Sequence, residues 1–139
     1  MSEEKAQQLM QQMQMLENYF ADLSQREGTL YGVLREAVAA IETIKSLSQK
    51  SDSEALLPVG MGTFVKAKIS SNEKFVLNIG AGISLEKNST SALNYLEARI
   101  KEIEMAIQDN SSKKHDAAAK LEQGKNQINQ LMQSESQSR

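Results

Sequence analysis

The chain has no cysteine and no tryptophan, a single proline, and an aromatic fraction of only 4%. Each shortage closes off a class of protein. Without cysteine there are no disulfides, no thiolate nucleophile and no sulfur ligands, and the lone histidine, His115, leaves no metal-binding cluster. A reducing compartment is compatible with that composition. The hydrophobic fraction is 40%, but alanine supplies much of it, and Gln, Ser, Glu, Lys and Ala dominate both ends of the 139 residues. That is the balance of long exposed helices, not of a compact core. No apolar run approaches the roughly 18 residues that span a bilayer, and no apolar segment follows the acidic opening Met1-Ser2-Glu3-Glu4. Net charge is -2 with the two signs interspersed, so there is no basic stripe for a phosphate backbone. A soluble, cytoplasmic protein with neither membrane nor nucleic acid as partner is expected.

What is present is periodicity. From Ala6 the apolar residues step by three and four through Leu9, Met13, Leu16, Phe20, Leu23, Glu27, Leu30, Leu34, Ala37, Ile41 and Ile44, with Glu27 the one interruption. The pattern fades around Ser46 to Ser53. A second series follows the cap-rich cluster Asn88-Ser89-Thr90-Ser91. It runs Leu93, Leu96, Ile100, Ile103, Ile107, Asn110, Lys114, Ala117, Leu121, Gly124, Ile128 and Leu131. Sustained 3-4 spacing predicts a coiled coil. At ~1.5 Å per residue the two arms have matched lengths of about 55–60 Å, so they are expected to fold back as one antiparallel hairpin.

Side-chain size argues for one register. If facing residues sum to 137, Phe20 meets Ala117, Met13 meets Gly124 and Ala37 meets Ile100, large against small each time. The same register sets Glu27 opposite Asn110 with Lys114 one turn away. Three off-pattern polar residues then share a layer and satisfy one another, and such a layer penalises slipped pairings.

About 45 residues separate the arms, too many for a turn between helices. They read as strands. Thr63–Ile69 and Lys74–Ile79 flank the polar turn Ser70-Ser71-Asn72-Glu73, with shorter strands at Ala55–Val59 and Ile83–Lys87. Pro58 suits an edge or a bend. One face of this sheet collects Val65, Ala67, Ile69, Phe75, Leu77, Ile79, Ile83 and Leu85, while Phe64 and Val76 fall on the other. So small a sheet is marginal in water and has no helix layer of its own. It needs partner sheets, and Phe64, Val65, Ile69, Val76, Leu77 and Ile79 are the residues expected to carry oligomerisation. The fold class is therefore α with small β: an N-terminal coiled-coil helix over 1–52, a β-hairpin assembly region over 53–88, a C-terminal coiled-coil helix over 89–133 and a disordered tail over 134–139.

Motifs with chemical meaning are few. Gly60-Met61-Gly62 and Gly80-Ala81-Gly82 do not extend to a phosphate-binding GxGxxG, since Val65 and Leu85 stand where the third glycine belongs, and neither precedes a helix. They read as strand bends or bulges at two similar corners. His115 falls at a solvent-facing heptad position. No serine has a base and an orienting acid in a shared pocket, so no enzyme, cofactor or metal is expected. Gly28 and Gly32 fall off the seam as a soft section of the first arm. Methionine is more telling, because Met10, Met13 and Met15 meet Met132 at the free end of an antiparallel pair. Unbranched, polarizable side chains suit a surface that accepts many shapes.

Two central stretches, Glu54-Ala55-Leu56-Leu57-Pro58-Val59-Gly60-Met61-Gly62-Thr63-Phe64-Val65-Lys66-Ala67 and Val76 to Lys87, closely resemble the signature of alpha-class prefoldin subunits, most of all the archaeal form. The resemblance implies a hexamer of two alpha-class and four beta-class subunits joined through a platform of two β-barrels. It implies an ATP-independent holdase that binds unfolded proteins at the coiled-coil tips and delivers them to a group II chaperonin. Leu9, Met10, Met13, Leu16, Ile128, Leu131 and Met132 are the expected client contacts, chosen by position, and Glu27, Asn110 and Lys114 the register layer. The alternative is a structural coiled-coil spacer or filament-forming prefoldin-like subunit.

Overall fold

A computed structural model describes residues 2–49 and 51–137. The element order is α1 (Ser2–Leu47), β1 (Ser53–Gly60), β2 (Thr63–Ile69), β3 (Phe75–Gly80), β4 (Ile83–Lys87) and α2 (Ser89–Gln137). The chain divides into two compact units, one built from the residues up to Gly32 and from Glu104 onward, the other from Val33–Ile103.

The helix ends differ from the expected boundaries for local reasons. Helix α1 stops at Leu47 rather than at 52, where the Ser48 amide and hydroxyl both donate to the Ile44 carbonyl, at 3.0 and 2.6 Å. Helix α2 begins where Asn88 caps it: the Asn88 carboxamide oxygen accepts from the Ser91 amide at 2.8 Å and its carbonyl from the Ala92 amide at 2.9 Å. It runs on to Gln137, so Ser134–Gln137, expected as disordered tail, are helical; Ser138 and Arg139 lie outside the described residues. Neither Gly nor Pro is there to stop it.

In the unit formed by the chain's two ends, the seam follows the 3-4 series. Met13, Leu23, Ala117, Gly124 and Asn110 are buried, and the remaining seam residues of that unit are half-buried. A side-chain carbon built on Gly124 would overlap the Met13 sulfur, so this glycine exists to admit Met13, as the expected large-against-small pairing requires. By contrast, nothing lies within 4 Å of where a Cβ would stand on Gly28 or Gly32. Packing gives no reason for either.

In the other unit the helical segments bury Ile41, Ile44, Ala92 and Ile103. Its strands form two separate two-stranded antiparallel sheets, β1 with β2 and β3 with β4. This corrects the sequence reading of one meander in which β2 and β3 flank a turn. Residues 70–73 do make a turn, with the Glu73 amide donating to the Ser70 carbonyl at 3.1 Å, but it links two hairpins instead of closing one. The closing turns are the glycine corners. Met61 and Gly62 (φ 51° and 73°), like Ala81 and Gly82 (φ 52° and 73°), occupy left-handed conformations at consecutive positions. Such pairs match the twist of a two-residue hairpin. Each corner also carries a register shift, between Pro58 and Gly60 and between Asn78 and Gly80, so the expected bulges are present beside the turns. The Asn78 side chain accepts the Gly80 amide at 3.0 Å and holds the second one.

Candidate functional site

Two surfaces, one in each unit, carry apolar side chains that the chain leaves uncovered. On the hairpins both faces are open. Phe64, Val65, Val76 and Ile79 are exposed, as are Leu56, Leu57, Val59, Ile83 and Leu85. Ile69 and Leu77 are half-buried. Met61, at the tip of the β1–β2 turn, is entirely exposed. Each strand pairs along one edge only, leaving its outer amides and carbonyls available. A residue that alternates inward in a larger sheet has nothing to turn inward to in a two-stranded one. The sequence reading did not name Val59, Met61, Leu56 or Leu57 among the oligomerisation residues, although apolar residues on both faces of a strand are themselves the sign of a sheet enclosed elsewhere. Within the same unit a hollow of roughly 530 Å³ is lined by Ala37, Ala40, Ile79, Tyr95 and Leu96, among others.

The second surface lies in the unit of paired chain ends. Residues 6–16 and 126–134 contain no ionisable side chain. Met10 and Met15 stand 60% and 72% exposed on α1, with Tyr19 and, on α2, Met132 also open to solvent. Met10, Gln11, Gln14 and Met15 line one shallow groove, and Gln12, Met15, Leu16 and Tyr19 line the next. Of the residues expected to touch clients, Leu9, Leu16, Ile128 and Leu131 are half-buried in the seam. Met13 must be withdrawn. It is 8% exposed, its sulfur fitted against Gly124, and it has little surface left to offer. Met15, grouped with Met10, Met13 and Met132 in the sequence reading but not named among the contacts, is open, and so is Tyr19. An apolar residue off the seam is the signal to look for, since the seam consumes its own.

Between Leu23 and Ala117 the same unit holds a polar cluster. The Lys114 ammonium lies 3.4 Å from the Glu27 carboxylate and 5.4 Å from the centre of the Phe20 ring. The buried Asn110 carboxamide donates to the Leu23 carbonyl at 2.8 Å. Glu27 and Lys114 therefore satisfy each other, while Asn110 does not reach Glu27 as expected and is satisfied by backbone. A helical carbonyl has a second lone pair free for this after its own helix bond. Among the described residues no buried side-chain nitrogen or oxygen lacks a partner. His115 is exposed, as its heptad position implies, and no group of His, Cys, Asp or Glu among the described residues is placed to hold a metal ion. No helix of the described residues is long and apolar enough to cross a membrane.

Comparison with known proteins gives the family and the fold. The family model described as prefoldin subunit matches residues 3–138. The chain is 67% identical to a prefoldin subunit alpha of Nitrosopumilus maritimus over 138 residues, 99% of this chain and 95% of that one. It is 32% identical to a prefoldin subunit alpha of Methanoregula boonei over 127 residues, 81% of this chain and 83% of the relative. A filamentous PFD from Methanocaldococcus jannaschii, solved by cryo-EM, superposes with a TM-score of 0.69 at 24% identity, covering 81% of this chain and 94% of that one. At that identity the likeness is one of fold: two long helices and two small hairpins.

Proposed function

The chain belongs to the prefoldin family as an archaeal-type alpha subunit, a chaperone component and not an enzyme, and from this we propose that it acts as an ATP-independent holdase. One observation carries the reading: two sets of uncovered apolar side chains, one on the hairpins and one on the helix pair, differ in character. The hairpin set is dense, strand-borne and edged with unpaired backbone, the kind of surface that other strands complete. The helix-pair set is sparse, uncharged and rich in methionine, the kind that holds many sequences weakly.

In this proposal Phe64, Val65, Ile69, Val76, Leu77 and Ile79 join beta-class subunits, two alpha to four beta, in the cytoplasm. Met10, Met15, Tyr19 and Met132 make the first contacts with unfolded clients. Leu9, Leu16, Ile128 and Leu131 support them and become available where the helix ends fray. Each patch is too small to drive self-aggregation. Several such grips on one flexible chain add through effective concentration, and a client departs by letting go of them in turn to a group II chaperonin. Glu27, Asn110 and Lys114 set the register of the pair.

Co-assembly with a beta-class subunit, native mass measurement and aggregation suppression of a denatured client test the reading together. The expected result is a hetero-hexamer that keeps the client soluble, and that loses this ability when both ends of the helix pair are trimmed without change in the hexamer. A spacer or filament-forming subunit would assemble equally well and suppress nothing.

A further inference from the structure

We propose that Met10 and Met15 are oxidation sites through which peroxide switches off the client grip. The proposal rests on the holdase reading above and adds a regulation to the same surface.

Three methionines fall within six residues of α1, and the structure treats them differently. Met10 and Met15 are 60% and 72% exposed, while Met13 between them is 8% exposed, with its sulfur against Gly124. Peroxide reaches the first two in the folded protein and is kept from the third. Met15 lines both shallow grooves of this face, with Met10 beside it in one and Leu16 and Tyr19 in the other. The other lining residues, Gln11, Gln12 and Gln14, are neutral, and no ionised side chain occurs from Ala6 to Leu16. Apolar contact is therefore what the patch has to offer, and the two thioethers supply much of it.

The chemistry is direct. The thioether sulfur attacks hydrogen peroxide, an S–O bond forms as the O–O bond breaks, the peroxide is reduced to water and the sulfur is oxidised to sulfoxide. The product is polar and chiral where the reactant was apolar and flexible. A sulfoxide in each groove demands hydration, which an apolar client segment would strip away. The seam is untouched because Met13 is shielded, so the helix pair stays folded while its grip is lost. Methionine sulfoxide reductases restore the thioether at the expense of a thiol pair, which makes the change a switch instead of damage.

The test uses the full chain co-assembled with its beta-class partner and treated with graded hydrogen peroxide. Peptide mass mapping is expected to find Met10 and Met15 oxidised well before Met13. In parallel, the complex keeps its size, the concentration needed for half-maximal aggregation suppression rises several-fold, and reductase treatment reverses the rise. In complexes carrying M10L/M15L, peroxide produces a much smaller rise, the remainder coming from Met132, which is 64% exposed on the same surface, each preparation being compared with itself before treatment. Equal oxidation of Met13, an equal rise in M10L/M15L complexes, or full oxidation without any rise each overturns the proposal. An untreated complex that fails to suppress aggregation would overturn the holdase reading instead, leaving the mass map to decide whether the two sulfurs are selectively reached.

Discussion

The helix seam and the hairpins are built from equally apolar sequence, and they finish differently. At the seam the apolar residues are buried or half-buried, and residues far apart in the chain satisfy one another: Met13 packs against Gly124, and Asn110 donates to the Leu23 carbonyl. On the hairpins Phe64, Val76 and Leu56 are more than half exposed, with no layer laid over them. A helix presents one stripe, and one other helix can cover it. A two-stranded sheet presents two faces and two open edges, and a chain that spends most of its length on helices has nothing left to cover them. A subunit can thus be complete in one region and incomplete in another, and the incomplete region is where assembly is to be sought.

The comparison can be broken first at the hairpins. Phe64→Asp is expected to abolish co-assembly with a beta-class subunit, because a desolvated charge at the centre of an interface costs on the order of 2–4 kcal/mol or more. The helical circular dichroism signal of the chain should be unchanged. Native mass spectrometry reads the first effect, and an intact oligomer would show that the open strands are not the assembly surface.

The seam should respond in the opposite way, through stability with assembly intact. Asn110→Asp replaces a donor to the Leu23 carbonyl by a buried carboxylate and is expected to cost about 1–3 kcal/mol at neutral pH. Thermal melts at neutral and acid pH check this, with the deficit shrinking at acid pH, where the new carboxyl is protonated and can donate again. Gly124→Leu drives a side chain into the space of Met13 and is expected to cost about 1–3 kcal/mol by overpacking. Adding Met13→Ala should recover part of that loss, whereas additive losses would mean that the two residues do not face each other. The smallest effect belongs to Glu27 and Lys114. Both are about two-thirds buried, so a double-mutant cycle to alanine should give a coupling of only about 0.5–1 kcal/mol. A coupling near zero would remove the ion pair from any role in setting the register.

Much of this was readable in advance, though unevenly. The 3-4 series named the seam residues, and none of those positions is exposed. Side-chain size paired Met13 with Gly124. The hairpin pairing was misread because Met61 and Ala81 stand where a two-residue turn usually has Asn, Asp or Gly, so the usual signal was absent. The flanking glycines looked like bulges, and the Ser70–Glu73 turn, rich in polar residues, looked like the hairpin. The extent of Met13's burial was not foreseen, for a different reason. Met10, Met13 and Met15 are identical in type and close in sequence, and only their orientation around α1 separates two open sulfurs from one that is packed away.

Heptad spacing and residue volume, both properties of the linear chain, were enough to determine that two long helices pair and which residues lie between them, because a helix repeats its contacts at a fixed interval. Which strands close on each other, which methionines stay open and what satisfies Asn110 were decided only by the tertiary structure. Those outcomes depend on backbone angles and on groups brought together from distant parts of the chain, and no local spacing encodes them.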